Sequence, residues 1–202
     1  MLDATARKII DPPLNVLGRA IAARGVSADA VTLAGLAIGL SAAALIVFGA
    51  FTAALVLLLV SRIADGLDGA VARATRKTDF GGYLDIAADF LFYGAIPLGF
   101  VLHDTGANGA AGAFLLTSFY FNGTSFLGYA ILAEKAKMQT TAQGQKSVYY
   151  SNGILGGTET IIFFVFLCLF PAYFSQMAWV FGALCFATAA LRIHAARQLF
   201  TA

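Results

Sequence analysis

Apolar residues in this 202-residue chain come in long runs rather than at amphipathic intervals. The runs cover roughly Val31 to Val60, Phe90 to Leu102, Gly109 to Leu132, Ile161 to Phe170 and Met177 to Leu191. A membrane-crossing helix needs about 20 mostly apolar residues, so each run is a span or most of one. The first run is too long for a single crossing, and Phe48-Gly49-Ala50-Phe51 divides it. The pattern predicts six spans, at 28–49, 52–74, 80–102, 109–133, 149–171 and 175–198. Residues 1–27 read differently. They carry Arg7, Lys8, Arg19 and Arg24 around Asp11-Pro12-Pro13, without the apolar core of a cleavable signal peptide. Leu14, Val16, Leu17 and Ile21 predict a short amphipathic helix on the membrane surface. The organisation expected is an arm over 1–27 and one membrane domain over 28–202.

Composition agrees with that pattern. Apolar residues make up 59% of the chain and charged residues 12%, with a mean hydropathy of +0.80. The fold class expected is an all-α integral membrane protein. All Lys and Arg except Arg62 fall in the arm, around 73–77, around 135–146 or at Arg192 and Arg197. The connections near 50, 103–108 and 171–175 have none. With six spans, these two sets lie on opposite faces, which places both termini in the cytoplasm. The net charge of +2 is spread along one face and does not form a nucleic-acid patch. Cys168 and Cys185 lie inside spans without metal-ligand spacing, and His103 and His194 have no partner motif. All four read as structural residues.

One stretch departs from the pattern. Asp65, Asp68, Asp85 and Asp89 lie within or beside apolar sequence. Asp65 and Asp68 are three apart and share a helix face; Asp85 and Asp89, four apart, share a face of the next helix. The turn from Ala74 to Phe80 is short, so the helices are expected to be antiparallel neighbours. Asp65 and Asp89 would each lie about 12–15 Å from their cytoplasmic helix ends. Four anions at that depth need neutralisation. Arg62 and Arg73 offer one solution and a divalent cation the other. Oxygen-only ligands point to Mg²⁺ or Mn²⁺ rather than zinc. Gly66, Gly69, Gly81 and Gly82 would let a phosphate-bearing ligand approach the backbone, or would serve helix packing. Carboxylates, metal and room for phosphate together suggest phosphoryl transfer.

The series Asp65-x2-Asp68-Gly69-x2-Ala72-Arg73-x7-Gly81-x3-Asp85-x3-Asp89 resembles the signature of the CDP-alcohol phosphatidyltransferases. Thr32 and Gly35 resemble the family's first-span motif, with Asp29 where an Asn is common. The chain looks most like the small bacterial members. The resemblance implies two Mg²⁺ or Mn²⁺ ions held by Asp65, Asp68 and Asp85, with Asp89 both joining the metal site and acting as general base toward the acceptor hydroxyl. It implies that Gly69, Ala72 and Gly81, with Gly66 beside them, line the CDP pocket. Arg73 would steady the motif or contact the nucleotide. The short chain is similar to relatives using CDP-diacylglycerol, which implies phosphatidyl transfer to a small alcohol, release of CMP and a place in phospholipid biosynthesis. It further implies a bacterial inner membrane, an active site facing the cytoplasm and lipid surroundings, and suggests a homodimer.

Outside the motif, Lys146, Glu159 and Arg192 are the candidates for binding the acceptor. Basic residues suit a polyol phosphate such as glycerol 3-phosphate or inositol phosphate, or form a basic rim beside lipid headgroups. Arg192, about 9 Å inside its helix end, needs a specific partner. Glu159 would lie about 15 Å deep if its span begins near Tyr149. It would then orient an acceptor or pair with Arg192 or Lys146. Two other activities fit parts of this pattern: transfer from a CDP-alcohol to diacylglycerol, and cation transport through intramembrane carboxylates. Transport would leave the Gly69, Ala72, Arg73 and Gly81 pattern without a purpose.

Overall fold

The computed structural model describes residues 3–136 and 155–200, with side chains from Ile10 onward. Among them there is no strand. The helices are α1 (Asp3–Ala22), α2 (Ala28–Val47), α3 (Phe51–Ala74), α4 (Asp79–His103), α5 (Thr105–Lys135), α6 (Gly157–Leu169) and α7 (Phe174–Phe200). A short 3₁₀ turn, Pro171–Tyr173, links the last two.

Local chemistry explains the boundaries. Ser27 accepts the Ala30 N–H at 3.2 Å, Thr78 accepts the Gly81 N–H at 3.0 Å, and Asp104 accepts the Ala107 N–H at 2.9 Å. Each side chain satisfies an N–H that the first helical turn leaves open. Between α2 and α3, Gly49 has φ +74°, where a side chain would be strained. The long run therefore breaks at the sequence Phe48 to Phe51, as expected.

Among the described residues, three segments are long and apolar enough to cross a membrane: Ala28–Val47, Asp79–His103 and Pro171–Phe200. α3 has the length at 24 residues but carries the motif's charges. α6 departs from the expected span over 149–171. Residues 149–154 lie outside the described set, but Gly156 is extended (φ −124°, ψ −166°) and the helix begins at Gly157. It therefore has 13 residues, about 20 Å in length. The apolar run begins only at Ile161, and the consecutive glycines Gly156 and Gly157 ahead of it mark where the helix starts.

α2 packs against α3 and α4, α5 against α7 and α4, and α6 against α3. Their shared core is aromatic. Phe163 and Phe181 stack at 4.0 Å, and Phe100 stacks on Phe51 and Phe174 at 5.7 and 5.0 Å. Many large apolar side chains face outward, including Leu33, Val56, Ile63, Leu91, Leu98 and Val180. Such a surface suits lipid rather than water. α1 lies against α3. A methyl on Gly18 would meet Ala70 Cβ at 2.6 Å, and one on Gly66 would meet Leu14 Cδ1 at 2.6 Å. Leu14 and Gly18 thus face the protein, while Val16 and Leu17 remain exposed.

Candidate active site

Four aspartates were expected to converge, and α3 and α4 bring three of them into one group. Asp65, Asp68 and Asp85 each offer a carboxylate oxygen within 4.8 Å of the others. Two oxygens facing each other across an Mg²⁺ ion are separated by about 4.2 Å, so these three are within a rotamer adjustment of a common ion. The donors are all carboxylate oxygens and fit a hard divalent cation. Asp68 is buried and accepts a hydrogen bond from Thr32 Oγ1 of α2 at 2.5 Å. Thr32 and Gly35, singled out from the first span, therefore reach the motif. Gly35 packs on Ala64, and its carbonyl accepts the Ser61 hydroxyl at 2.8 Å.

Asp89 is not part of the group of three. Arg62 Nη1 donates to Asp89 Oδ1 at 2.8 Å and lies 3.5 Å from Asp65 Oδ1. Of the two arginines considered as counter-charges, Arg62 fills that place. Arg73 turns to the surface helix, where Nε and Nη2 donate to Asn15 Oδ1 at 3.1 and 2.8 Å. Asn15 had no signal in the sequence, because its importance comes only from the docking of α1. A cavity of about 240 Å³ lies there, lined by Asn15, Arg19, Ala70, Arg73 and Ala74.

The motif's small residues separate by environment. Gly69 and Gly82 face open space, apart from Arg73 Nη1 at 3.4 Å from a methyl on Gly69. Ala72 is half-buried. A methyl on Gly81 would lie 3.1 Å from Asp29 Oδ1, so the start of α2 brings a further carboxylate beside the motif's second glycine. Gly66 faces Leu14 and acts in packing.

The three acceptor candidates come from outside the motif. Lys146 is outside the described residues. Glu159 stands in the first turn of α6 and accepts the Gly156 N–H at 2.9 Å, not ten residues into a helix. Arg192 is 4% exposed. Its Nη1 donates to Asn122 O and Oδ1 at 3.1 and 2.9 Å and to Ser125 Oγ at 2.6 Å. These α5 groups hold its charge inside the bundle, and a cavity of about 400 Å³ beside it is lined by Ser125, Tyr129, Leu132 and Ile193. His103 meets Val47 O at 3.2 Å and Phe51 edge-on. Cys168 and Cys185 are buried free thiols.

A paired-helix carboxylate cluster beside a glycine-lined opening defines a class of membrane transferases. The chain belongs to the CDP-alcohol phosphatidyltransferase family, whose model matches residues 26–196. It is a transferase of phospholipid synthesis. It is 46% identical over 193 residues to the inner membrane protein YnjF of Escherichia coli K12, covering 96% of this chain and 94% of that one. It is 35% identical over 97 residues to the archaetidylinositol phosphate synthase of Pyrococcus horikoshii, covering 48% of this chain and 52% of that protein. In fold it resembles the phosphatidylinositol phosphate synthase PgsA1 of Mycobacterium tuberculosis. The form with CDP-DAG bound superposes with TM-score 0.68 at 19% identity, covering 91% and 93% of the two chains. The form with manganese and citrate gives 0.68 at 20% identity, covering 91% and 88%. None of these likenesses is to a transporter.

Proposed function

We propose that this protein transfers a phosphatidyl group from CDP-diacylglycerol to the hydroxyl of a small alcohol, with CMP as the leaving product. The convergence of Asp65, Asp68 and Asp85 beside Asp89 carries this reading. The three clustered carboxylates would hold divalent metal, Mg²⁺ or Mn²⁺, as one ion or two. Bound there, metal supplies charge stabilisation at the donor diphosphate. Asp89 would take the acceptor's proton as its oxygen attacks the lipid-side phosphorus and the bond to CMP breaks. Gly69, Ala72 and Gly81 would admit the nucleotide, with Arg73 at its edge. The manganese-bound and CDP-DAG-bound forms of the fold neighbour support the metal and the donor.

Helices α2–α7 are read as six spans, following the arm over 1–27, in one domain over 28–202. Both termini and the site would face the cytoplasm. The name of the Escherichia coli relative supports an inner membrane. A homodimer is compatible with the abundant exposed apolar surface. For the acceptor, a polyol phosphate is favoured by buried Arg192 beside its cavity and by the name of the archaeal relative. Lys146 and Glu159 are the further candidates.

The test supplies purified protein in nanodiscs with labelled CDP-diacylglycerol, Mn²⁺ and a panel of alcohols and polyol phosphates. Release of CMP with one or a few acceptors is expected, and chelation should abolish it. Turnover of CDP-alcohols with diacylglycerol instead would reverse the roles of donor and acceptor. No CMP with any acceptor, together with ion uptake into liposomes, would overturn the transferase reading.

A further inference from the structure

Arg62 is the one cation held between the two halves of the aspartate site, among the described residues. It lies a helical turn before Asp65 and its side chain is 13% exposed. Three contacts fix its guanidinium. Nη1 meets Asp89 at 2.8 Å. Nη2 donates to Ser61 Oγ at 3.1 Å, and Ser61 is itself tied to Gly35 O. The guanidinium carbon lies 3.8 Å over the centre of the Phe92 ring. Phe92 is fully buried, so the arginine is pressed between an aromatic face and two carboxylates. Its Nε is buried without a hydrogen-bond partner. That cost is acceptable only where the group's charge is needed. Arginine suits this place because one planar group can stack, donate and keep its charge.

We propose that Arg62 is a positioning residue and built-in counter-cation of this site. It neutralises Asp65 and Asp89 before metal arrives, and it holds Asp89 apart from the metal-binding group and oriented toward the acceptor. This rests on the metal reading of Asp65, Asp68 and Asp85. The charge count gives the consequence. Counted as ionised, the four motif aspartates with one fixed guanidinium carry a formal charge of −3 for the cation to meet, and without the guanidinium −4. A neutral residue at position 62 therefore makes the metal-free protein less stable and metal binding tighter. A purely structural arginine would cause the first effect without the second.

The experiment measures Mn²⁺ binding to the full chain from the loss of the free-ion paramagnetic resonance signal, without donor or acceptor. Thermal unfolding is followed with and without saturating Mn²⁺. Arg62→Met should bind Mn²⁺ on the order of tenfold more tightly than the parent. Its loss of thermal stability should shrink when Mn²⁺ is bound. Turnover should fall with little change in KM for CDP-diacylglycerol, since Asp89 loses its orientation. Arg62→Lys keeps the charge but loses the stacked fork. Its Mn²⁺ affinity should stay within about twofold of the parent while turnover still falls. This variant carries the test should Arg62→Met not fold, and a several-fold change in its affinity would overturn the inference. A parent that binds Mn²⁺, with Arg62→Met binding no tighter and equally destabilised in both conditions, overturns it alone. A parent that binds no Mn²⁺ overturns the metal reading and this inference together.

Discussion

Asp68 and Asp89 belong to one motif but have opposite surroundings. Asp68 is 6% exposed and bonded to Thr32; Asp89 is partly open and faces Arg62. Removing the Thr32 hydroxyl would leave a buried carboxylate short of a donor and free to turn from the group of three. Groups that orient a metal ligand commonly affect affinity by about 10–100-fold. Thr32→Val should therefore raise the Mn²⁺ concentration for half-maximal CMP release by about tenfold, with the maximal rate changed less. Asp89→Asn keeps the shape and the Arg62 contact but removes the base. Turnover should fall by about 10²–10⁴-fold while CDP-diacylglycerol still binds. An active Asp89→Asn protein would remove Asp89 from that role. Spacing alone placed all four carboxylates on facing helix sides. It did not reveal which one would meet Arg62, because that depends on how far α3 is rotated toward α4.

At the scale of elements, the α1–α3 contact separates glycines that look alike in sequence. At Gly18 a methyl would meet Ala70 Cβ at 2.6 Å and its backbone carbon at 2.9 Å, and backbone cannot turn aside. Gly18→Ala should push α1 from α3 and cost on the order of 1–3 kcal/mol, read as a lower unfolding midpoint. At Gly66 the obstacle is only the tip of Leu14, a flexible side chain, so Gly66→Ala should retain most activity. Gly69 has room for a methyl in the free protein. Gly69→Ala should leave the unfolding midpoint unchanged and raise KM for CDP-diacylglycerol, because only the donor would compete for that space. Equal losses at Gly66 and Gly69 would contradict this division. Most helix ends were legible, since caps, glycine turns and basic connections interrupt the apolar runs. The start of α6 was not. The apolar run itself covers only Ile161 to Phe170, and carrying a span back to 149 passes over polar and glycine residues, where the Gly156 conformation sets Glu159 in a first turn.

Across the whole molecule, the site's usefulness depends on which face of the membrane it opens to. The connection over 75–78, between the motif helices, contains Arg76 and Lys77 and follows Arg73. The α4–α5 connection at Asp104 contains no basic residue, nor does the turn at 48–50. The bias of Lys and Arg toward cytoplasmic loops would put the motif connection inside and Asp104 outside. CDP-linked donors would then be met on the face where nucleotides are made, while the diacylglycerol tails stay beside the exposed apolar helices. Thiol labelling can read this directly. The native thiols, Cys168 and Cys185, are buried, so background should be low. Thr75 and Ala107 are both exposed, one at each end of α4. In spheroplasts, a membrane-impermeant maleimide should label Ala107→Cys and leave Thr75→Cys unmodified until the membrane is opened. The reverse pattern would turn the protein over and place the aspartates on the outer face. Labelling of both before opening would mean that at least one end of α4 is reached through the protein rather than across the bilayer.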